Sequence, residues 1–293
     1  MLTVTSLSKQ YDNGVKALNN IELQIGKGMF GLLGPNGAGK SSLMRTLATI
    51  QAPDSGYIQF NDINVLNRPH ALRRVLGYLP QEFGVYPRVS AFRLLDYLAV
   101  LKGIHNKNVR HKKVNELLEQ TNLLNHKHKS VATFSGGMVR RFGIAQALIA
   151  SPELIVVDEP TAGLDPQERN RFYSLLSEVS ENATLILSSH IIEDIEGLCS
   201  NLAIINNGKV VNQGGISSLS NVLGGKVWQA QTNEQQVSQW QKVFSFLSVK
   251  SIGAERFVRV LADIPPTPDF YAVPPNLEDV YFAALANQGQ EAK

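Results

Sequence analysis

The stretch "GPNGAGKS", residues 34–41, has the residue types and spacing of a phosphate grip. It follows the short apolar run "MFGLLG" and opens "KSSLMRTLATI", where Leu43, Leu47 and Ile50 recur at helical spacing. In such a strand–loop–helix passage, Gly37 and Gly39 permit backbone angles that turn several N–H groups inward. The helix start adds its positive dipole end. Lys40 would reach the β- and γ-phosphates of a nucleotide, and Ser41 would ligate Mg2+.

Three further stretches carry chemistry. "LIVVDEP" brings Asp158 and Glu159 to the end of a buried strand. An acid there suits a partner for Mg2+, and the next one can align or deprotonate an attacking water. His190 ends the apolar strand "TLILSS", where it can contact a γ-phosphate. "TFSGGMVRRFGIAQALIA" holds a second grip: Ser135 is a good helix N-cap, and Gly136 and Gly137 leave room for a phosphate at the helix end. One chain needs only one such loop for its own nucleotide. A second is useful when it approaches from the opposite side, on another copy of the protein.

These stretches need a frame. The chain has 293 residues, 43% hydrophobic and 18% charged, which is ordinary for a globular protein of one large domain or a domain with an appendage. A net charge of +3 is too small a bias to argue for nucleic acid as a partner. The single cysteine, Cys199, cannot close an internal disulfide, which fits a reducing compartment and a packing role. No segment reaches the ~18 apolar residues that spanning a bilayer requires, and "MLTVTSLSKQYDNG" lacks the layout of a signal peptide. Any membrane role must then be borrowed from a partner.

Along the chain, "LTVTSLSKQY" and "ALNNIELQIG" alternate as strands, and "DSGYIQFNDINV" reads as a turn with strands. From Ser90 to about Asn125 the pattern is mostly helical, and "LAIINNGKVVNQGG" is a hairpin around Asn207-Gly208. The order of elements implies an α/β core with a mostly parallel sheet. The Gly/Ser-rich "GGISSLSNVLGG" suits a boundary, and "NLEDVYFAALANQ" reads as a terminal helix capped by Asn276. Two domains are expected, 1–218 and a small accessory domain over 219–293.

Together these motifs resemble the ATP-binding-cassette (ABC) ATPases, the nucleotide-binding subunits of ABC transporters, over about residues 2–215. The resemblance implies a P-loop NTPase fold with a parallel-sheet core, an antiparallel β subdomain and a helical subdomain. The C-terminal residues would add a small α+β appendage. It implies ATP and Mg2+ as cofactors, with Gly34, Asn36, Gly37, Ala38, Gly39, Lys40, Ser41 and Ser42 forming the Walker A loop. Tyr11 matches the aromatic residue that stacks on adenine. Gln81 in "YLPQEFG" matches the Q-loop glutamine, which touches Mg2+ or water and senses the permease. "FSGGM" matches the signature motif, with Phe134 and Met138 where the usual motif has Leu and Gln. Asp158 matches the Walker B acid that helps hold the metal, Glu159 the catalytic base, Asp165 the D-loop aspartate and His190 the switch histidine.

The implied function is ATP hydrolysis in a head-to-tail dimer, most simply of two copies of this chain, that drives transmembrane permease subunits from the cytoplasmic face of the membrane. "PQEFGVYPRVSAFRLLDYLAVLKGI" and "NLEDVYFAAL" resemble ATPases paired with ABC-2-type export permeases. The segment from Gln81 to about Gly103, with Phe83, Val85, Tyr86 and Phe92, is the expected permease contact. The alternative is a soluble ABC ATPase of translation or DNA maintenance. Against it stand a single cassette and a separation of only 54 positions from Gln81 to Ser135, too few for a coiled-coil insertion.

Overall fold

The structure, a computed structural model, describes the chain except residues 82, 83, 85, 86, 161–164, 254, 292 and 293 and the side chains of 287–291. The described strands are β1 (Leu2–Gln10), β2 (Lys16–Ile25), β3 (Gly28–Leu33), β4 (Ser55–Phe60), β5 (Ile63–Asn64), β6 (Leu76–Leu79), β7 (Leu154–Asp158), β8 (Thr184–Ser189), β9 (Asn201–Asn206), β10 (Lys209–Gly215), β11 (Val227–Thr232), β12 (Phe246–Ile252), β13 (Glu255–Leu261) and β14 (Tyr271–Ala272). The α-helices are α1 (Lys40–Leu47), α2 (Pro69–Val75), α3 (Ala91–Leu101), α4 (Lys107–Gln120), α5 (Gly136–Leu148), α6 (Pro166–Ser180), α7 (Ile192–Leu198), α8 (Ile216–Val222), α9 (Glu234–Trp240) and α10 (Leu277–Glu291).

A six-stranded sheet in the order β10-β9-β3-β8-β7-β6 forms the centre, parallel except for β10 at its edge. Its strands are continuous apolar runs because both faces are covered. Leu154, Ile155, Val156 and Val157 of β7 and Leu185, Ile186 and Leu187 of β8 are all buried. An antiparallel sheet, β2-β1-β4-β5, covers one flank and alternates buried and exposed positions, as a sheet wetted on one side must. The helices α3, α4 and α5 pack on one another through Leu95, Leu118 and Phe142. A third sheet, β12-β13-β11-β14, carries α9 on a small apolar cluster with Val258 and Trp240.

The topology puts the chemistry at one edge. β3, β6, β7 and β8 are parallel, so their carboxyl ends lie together, where ligands bind in open α/β sheets. The register pairs Leu33 with Ser189, Asp158 with Ser188 and Leu79 with Val157. The residues just beyond those pairs are Gly34, Glu159, His190 and Gln81.

Two passages differ from the pattern read along the chain. The Gly/Ser-rich stretch is largely helical, as α8. The last helix, α10, is shared between two cores: Leu277, Val280, Tyr281 and Ala284 are buried in the central core, while Ala283 packs with Val227 and Leu247 of the C-terminal sheet. Its start is a reciprocal cap. Asn276 Oδ1 accepts from the Asp279 N–H at 2.9 Å, and Asp279 Oδ2 accepts from the Asn276 N–H at 2.9 Å.

Candidate functional site

The loop after β3 is shaped by close approach. A Cβ on Gly34 would collide with the Ile205 carbonyl, and one on Gly39 with the Ala17 carbonyl. Gly37 and Gly39 also take φ values of 79° and 107°, the left-handed region that favours glycine. No side chain caps α1, whose N-cap is Gly39. The first-turn N–H groups that lack helical partners therefore face the loop.

Lys40 begins α1 and is only 5% exposed. Its Nζ donates to the Gly34 carbonyl at 2.6 Å and the Pro35 carbonyl at 3.1 Å, and lies 3.6 Å from Glu159 Oε1. Burial pulls the Lys40 ammonium below the ordinary lysine range, and the Glu159 and Asp158 carboxylates oppose that pull.

Glu159 sits at the end of β7 with φ 46°, a conformation that costs a non-glycine residue about 1–2 kcal/mol. Its N–H donates to the Ser188 carbonyl at 3.2 Å and to Ser188 Oγ at 3.1 Å, which hold it there. Ser188 Oγ in turn donates to Asp158 Oδ1 at 2.5 Å. The Glu159 carboxylate is the meeting point of the site: Gln81 Nε2 donates to Oε2 at 3.2 Å, and His190 Nδ1 lies 3.2 Å from Oε1. Sheet register thus converts motifs far apart in sequence into one contact cluster.

A cleft of about 630 Å³ opens over this cluster, lined among others by Tyr11, Asn36, Gly37, Gly39, Lys40, Ser41, Ser42, Gln81, Glu159 and His190. Ala38 is buried under the loop, and its carbonyl accepts from the Gly208 N–H at 2.9 Å. Tyr11 follows β1; its hydroxyl lies 3.0 Å from Ser42 Oγ and donates to Gln51 Oε1 at 3.1 Å, which ties the ring beside the loop. Pro35, inside the glycine-rich loop, also lines the cleft; so do Val15 and Ala17, which carry no signal in the sequence because their place depends on how the antiparallel sheet meets β3. The volume, the glycine-shaped cradle and the buried cation fit a nucleoside triphosphate. Ser41 and Asp158 carry oxygens of the hard kind that would suit Mg2+ alongside phosphates.

Ser135, Gly136 and Gly137 do not line this cleft. Ser135 caps α5, its Oγ accepting from the Met138 N–H at 3.3 Å. Gly137 is packed so tightly that a Cβ would collide with the Glu168 carboxylate, whereas a Cβ on Gly136 would meet nothing within 4 Å. Phe134 stands edge-on to His126 and Phe142. Asp165 caps α6, accepting from the Glu168 N–H at 2.8 Å. Of the expected permease contact, Phe83, Val85 and Tyr86 lie outside the described residues; Phe92 is half-buried and stands 5.0 Å from the His111 ring.

Comparison with known proteins agrees with this geometry. The family model described as ABC transporter matches residues 18–162. The linearmycin resistance ATP-binding protein LnrL of Bacillus subtilis (strain 168) is 35% identical over 228 residues, covering 77% of this chain and 72% of the relative. The daunorubicin/doxorubicin resistance ATP-binding protein DrrA of Streptomyces peucetius is 31% identical over 237 residues, covering 80% and 71%. A solved ATP-binding subunit of an ABC transporter superposes with TM-score 0.69 at 26% identity, covering 76% of this chain and 92% of that one. A dimeric bacterial ABC transporter cassette shares the fold with TM-score 0.68 at 24% identity, covering 73% and 98%. This chain belongs to the ABC transporter family, as an ATP-binding protein of the kind that hydrolyses ATP.

Proposed function

We propose that this ATPase powers a separate export permease, by closing on ATP against a second copy of itself and then hydrolysing it. The observation that carries the proposal is the convergence of Lys40, Gln81 and His190 on the Glu159 carboxylate, each within 3.6 Å. Lys40 holds phosphate oxygens. Glu159 takes the proton of the attacking water. His190 and Gln81 fix the orientation of that carboxylate and of the water. Tyr11 offers its ring to adenine. Gly34, Asn36, Gly37, Ala38, Gly39 and Ser42 complete the cradle, with backbone N–H groups as the main donors. Ser41, Asp158 and Gln81 would hold Mg2+, which would supply charge neutralisation at the transferring phosphoryl group.

Ser135, Gly136, Gly137 and Asp165 stand apart from the chain's own cleft. We assign them to the nucleotide of the partner copy. Export is supported by relatives named for drug resistance and, in Cupriavidus pinatubonensis, for Nod factor export. Those names also favour transport over the soluble alternative. No helix among the described residues is long and apolar enough to cross a membrane. The permease would therefore hold the chain at the cytoplasmic face, through the segment following Gln81. Residues 1–218 form the ATPase domain in this proposal, and 219–293 an accessory domain.

The test separates binding from chemistry. Glu159→Gln keeps shape and removes the base, so turnover should fall at least ~100-fold while ATP still binds and dimers accumulate. Lys40→Ala should instead weaken ATP binding. Wild-type turnover in Glu159→Gln would reject the assigned role.

A further inference from the structure

His190 is not held by packing: its side chain is about half exposed, at 46%. Something else must aim it at Glu159. The residues on either side of it are tied together by one hydroxyl. Ser189 Oγ accepts from the Ile191 N–H at 2.9 Å, closing a tight turn with His190 in the middle. The same hydroxyl donates its proton to Asp194 Oδ2 at 3.2 Å. Asp194, on α7, is 3% exposed. Its other oxygen, Oδ1, accepts from the Tyr173 hydroxyl at 2.5 Å and lies 3.7 Å from Arg169 Nη1. Arg169 and Tyr173 are four residues apart on α6, so they present one face of that helix to α7. α6 is the helix that Asp165 caps.

We propose that Asp194 is a positioning residue for hydrolysis: it clamps the turn that carries His190 and ties that turn to α6. The chemistry needs a carboxylate. Ser189 Oγ already accepts from Ile191, so its single proton must go to an acceptor in a set direction. Tyr173 presents a second hydroxyl proton to the same side chain. Ser189 and Tyr173 donate to different oxygens of Asp194, and a carboxylate presents an acceptor to each, whereas an asparagine has one oxygen and an NH2. Asp194→Asn therefore sets a donor against a donor in a dry site and leaves the turn free to shift. His190 would then lose its contact with Glu159, while the phosphate cradle around Lys40, built on β3 and α1, stays in place.

This inference rests on the proposed role of His190, and the experiment distinguishes the two. Full-length Asp194→Asn, Ser189→Ala and Tyr173→Phe are compared with His190→Ala, alone and in combination. The readouts are kcat and KM for ATP, binding of a fluorescent ATP analogue, and thermal unfolding. Asp194→Asn and Ser189→Ala should each lower kcat about tenfold with nucleotide affinity changed less than about twofold, and Tyr173→Phe should do so more weakly. In the His190→Ala background, the same substitutions should lower kcat by less than about twofold, because the group they aim is gone. A purely structural defect would add its full effect there instead, and that outcome overturns the proposal. Wild-type kcat in Ser189→Ala, with His190→Ala impaired, also overturns it while leaving the role of His190 standing. Wild-type kcat in His190→Ala rejects the role of His190 and the clamp together. If Asp194→Asn does not fold, Ser189→Ala and Tyr173→Phe decide.

Discussion

Gly136 and Gly137 are adjacent and differ in what surrounds them. Gly137 is a packing glycine: any side chain there would push on the Glu168 carboxylate, which is also 3.4 Å from Arg141. Gly136 faces open space within its own chain. If the second grip serves a nucleotide held by a partner, the room at Gly136 is room for that nucleotide. Gly136→Ala should leave thermal unfolding unchanged or slightly improved, since alanine is the better helix former. Turnover should nonetheless fall by at least about tenfold, the scale for disturbing one preorganised donor site. Unchanged turnover in a well-folded Gly136→Ala protein would remove the case for a ligand at that helix end. The buried Cys199 thiol, pushed up to about 12 by burial, is inert packing by contrast.

At the scale of elements, the proposed site is made from the ends of parallel strands and the starts of two helices. β3, β6, β7 and β8 deliver one half, and α1 supplies the inward-facing N–H groups. In the proposed composite site the start of α5 is the other half; within one chain it does not line the same cleft. Arg140 Nη1 on α5 reaches the Pro80 carbonyl at 3.4 Å, so this second helix is anchored at the end of β6, next to Gln81. The two halves should complement between chains. Lys40→Ala and Ser135→Arg each break both sites of their own homodimer. A mixed dimer joins an intact Lys40 to an intact Ser135 in one site. Mixing should recover trapped nucleotide and some turnover, up to one site's worth per mixed dimer. Mixed dimers shown to form, with neither readout above the single variants, would reject the composite site.

At the scale of the whole molecule, α10 links the C-terminal sheet to the ATPase core. It buries Leu277, Val280, Tyr281 and Ala284 in the central cluster, and its Asp279 pairs with Arg259 of β13 at 3.0 Å. Burial raises the Asp279 carboxyl above the ordinary range, with the nearby Arg259 acting against the rise. Leu277 is fully buried, so Leu277→Ala should cost about 2–5 kcal/mol. Because the lost contacts belong to the central core, the main unfolding transition of the ATPase should move. A separate early transition of the C-terminal sheet, with the main one unmoved, would show that α10 belongs to the appendage alone. ending the chain after residue 222 should keep ATP binding, since the strand-end cluster lies elsewhere, at reduced thermal stability.

Much of the site was legible because backbone chemistry constrains sequence locally. A loop that must pass close to other backbone, as at Gly34 and Gly39, admits only glycine, and a buried parallel strand must be apolar up to the acid at its end. Spacing therefore announced the glycine-shaped loop before α1, the acids at the end of β7, and the hairpin at Asn207-Gly208. The helical cap at Asn276 was equally local and equally readable. Tertiary structure decided the rest. Nothing in the order of residues says that Gln81, Glu159 and His190 touch, since that follows from which strands are neighbours and in what register. The α8 helix escaped notice because its glycines and serines read as a boundary, while its stability comes from packing. α10 looked like the end of an appendage, yet its apolar face found the central core. Asp194 drew no attention as one acid among twenty-five aspartates and glutamates; only its burial against Ser189 and Tyr173 marks it. Local rules act through the backbone and are written in short stretches. Contacts between distant segments are set by how whole surfaces pack, and no short stretch by itself carries that information.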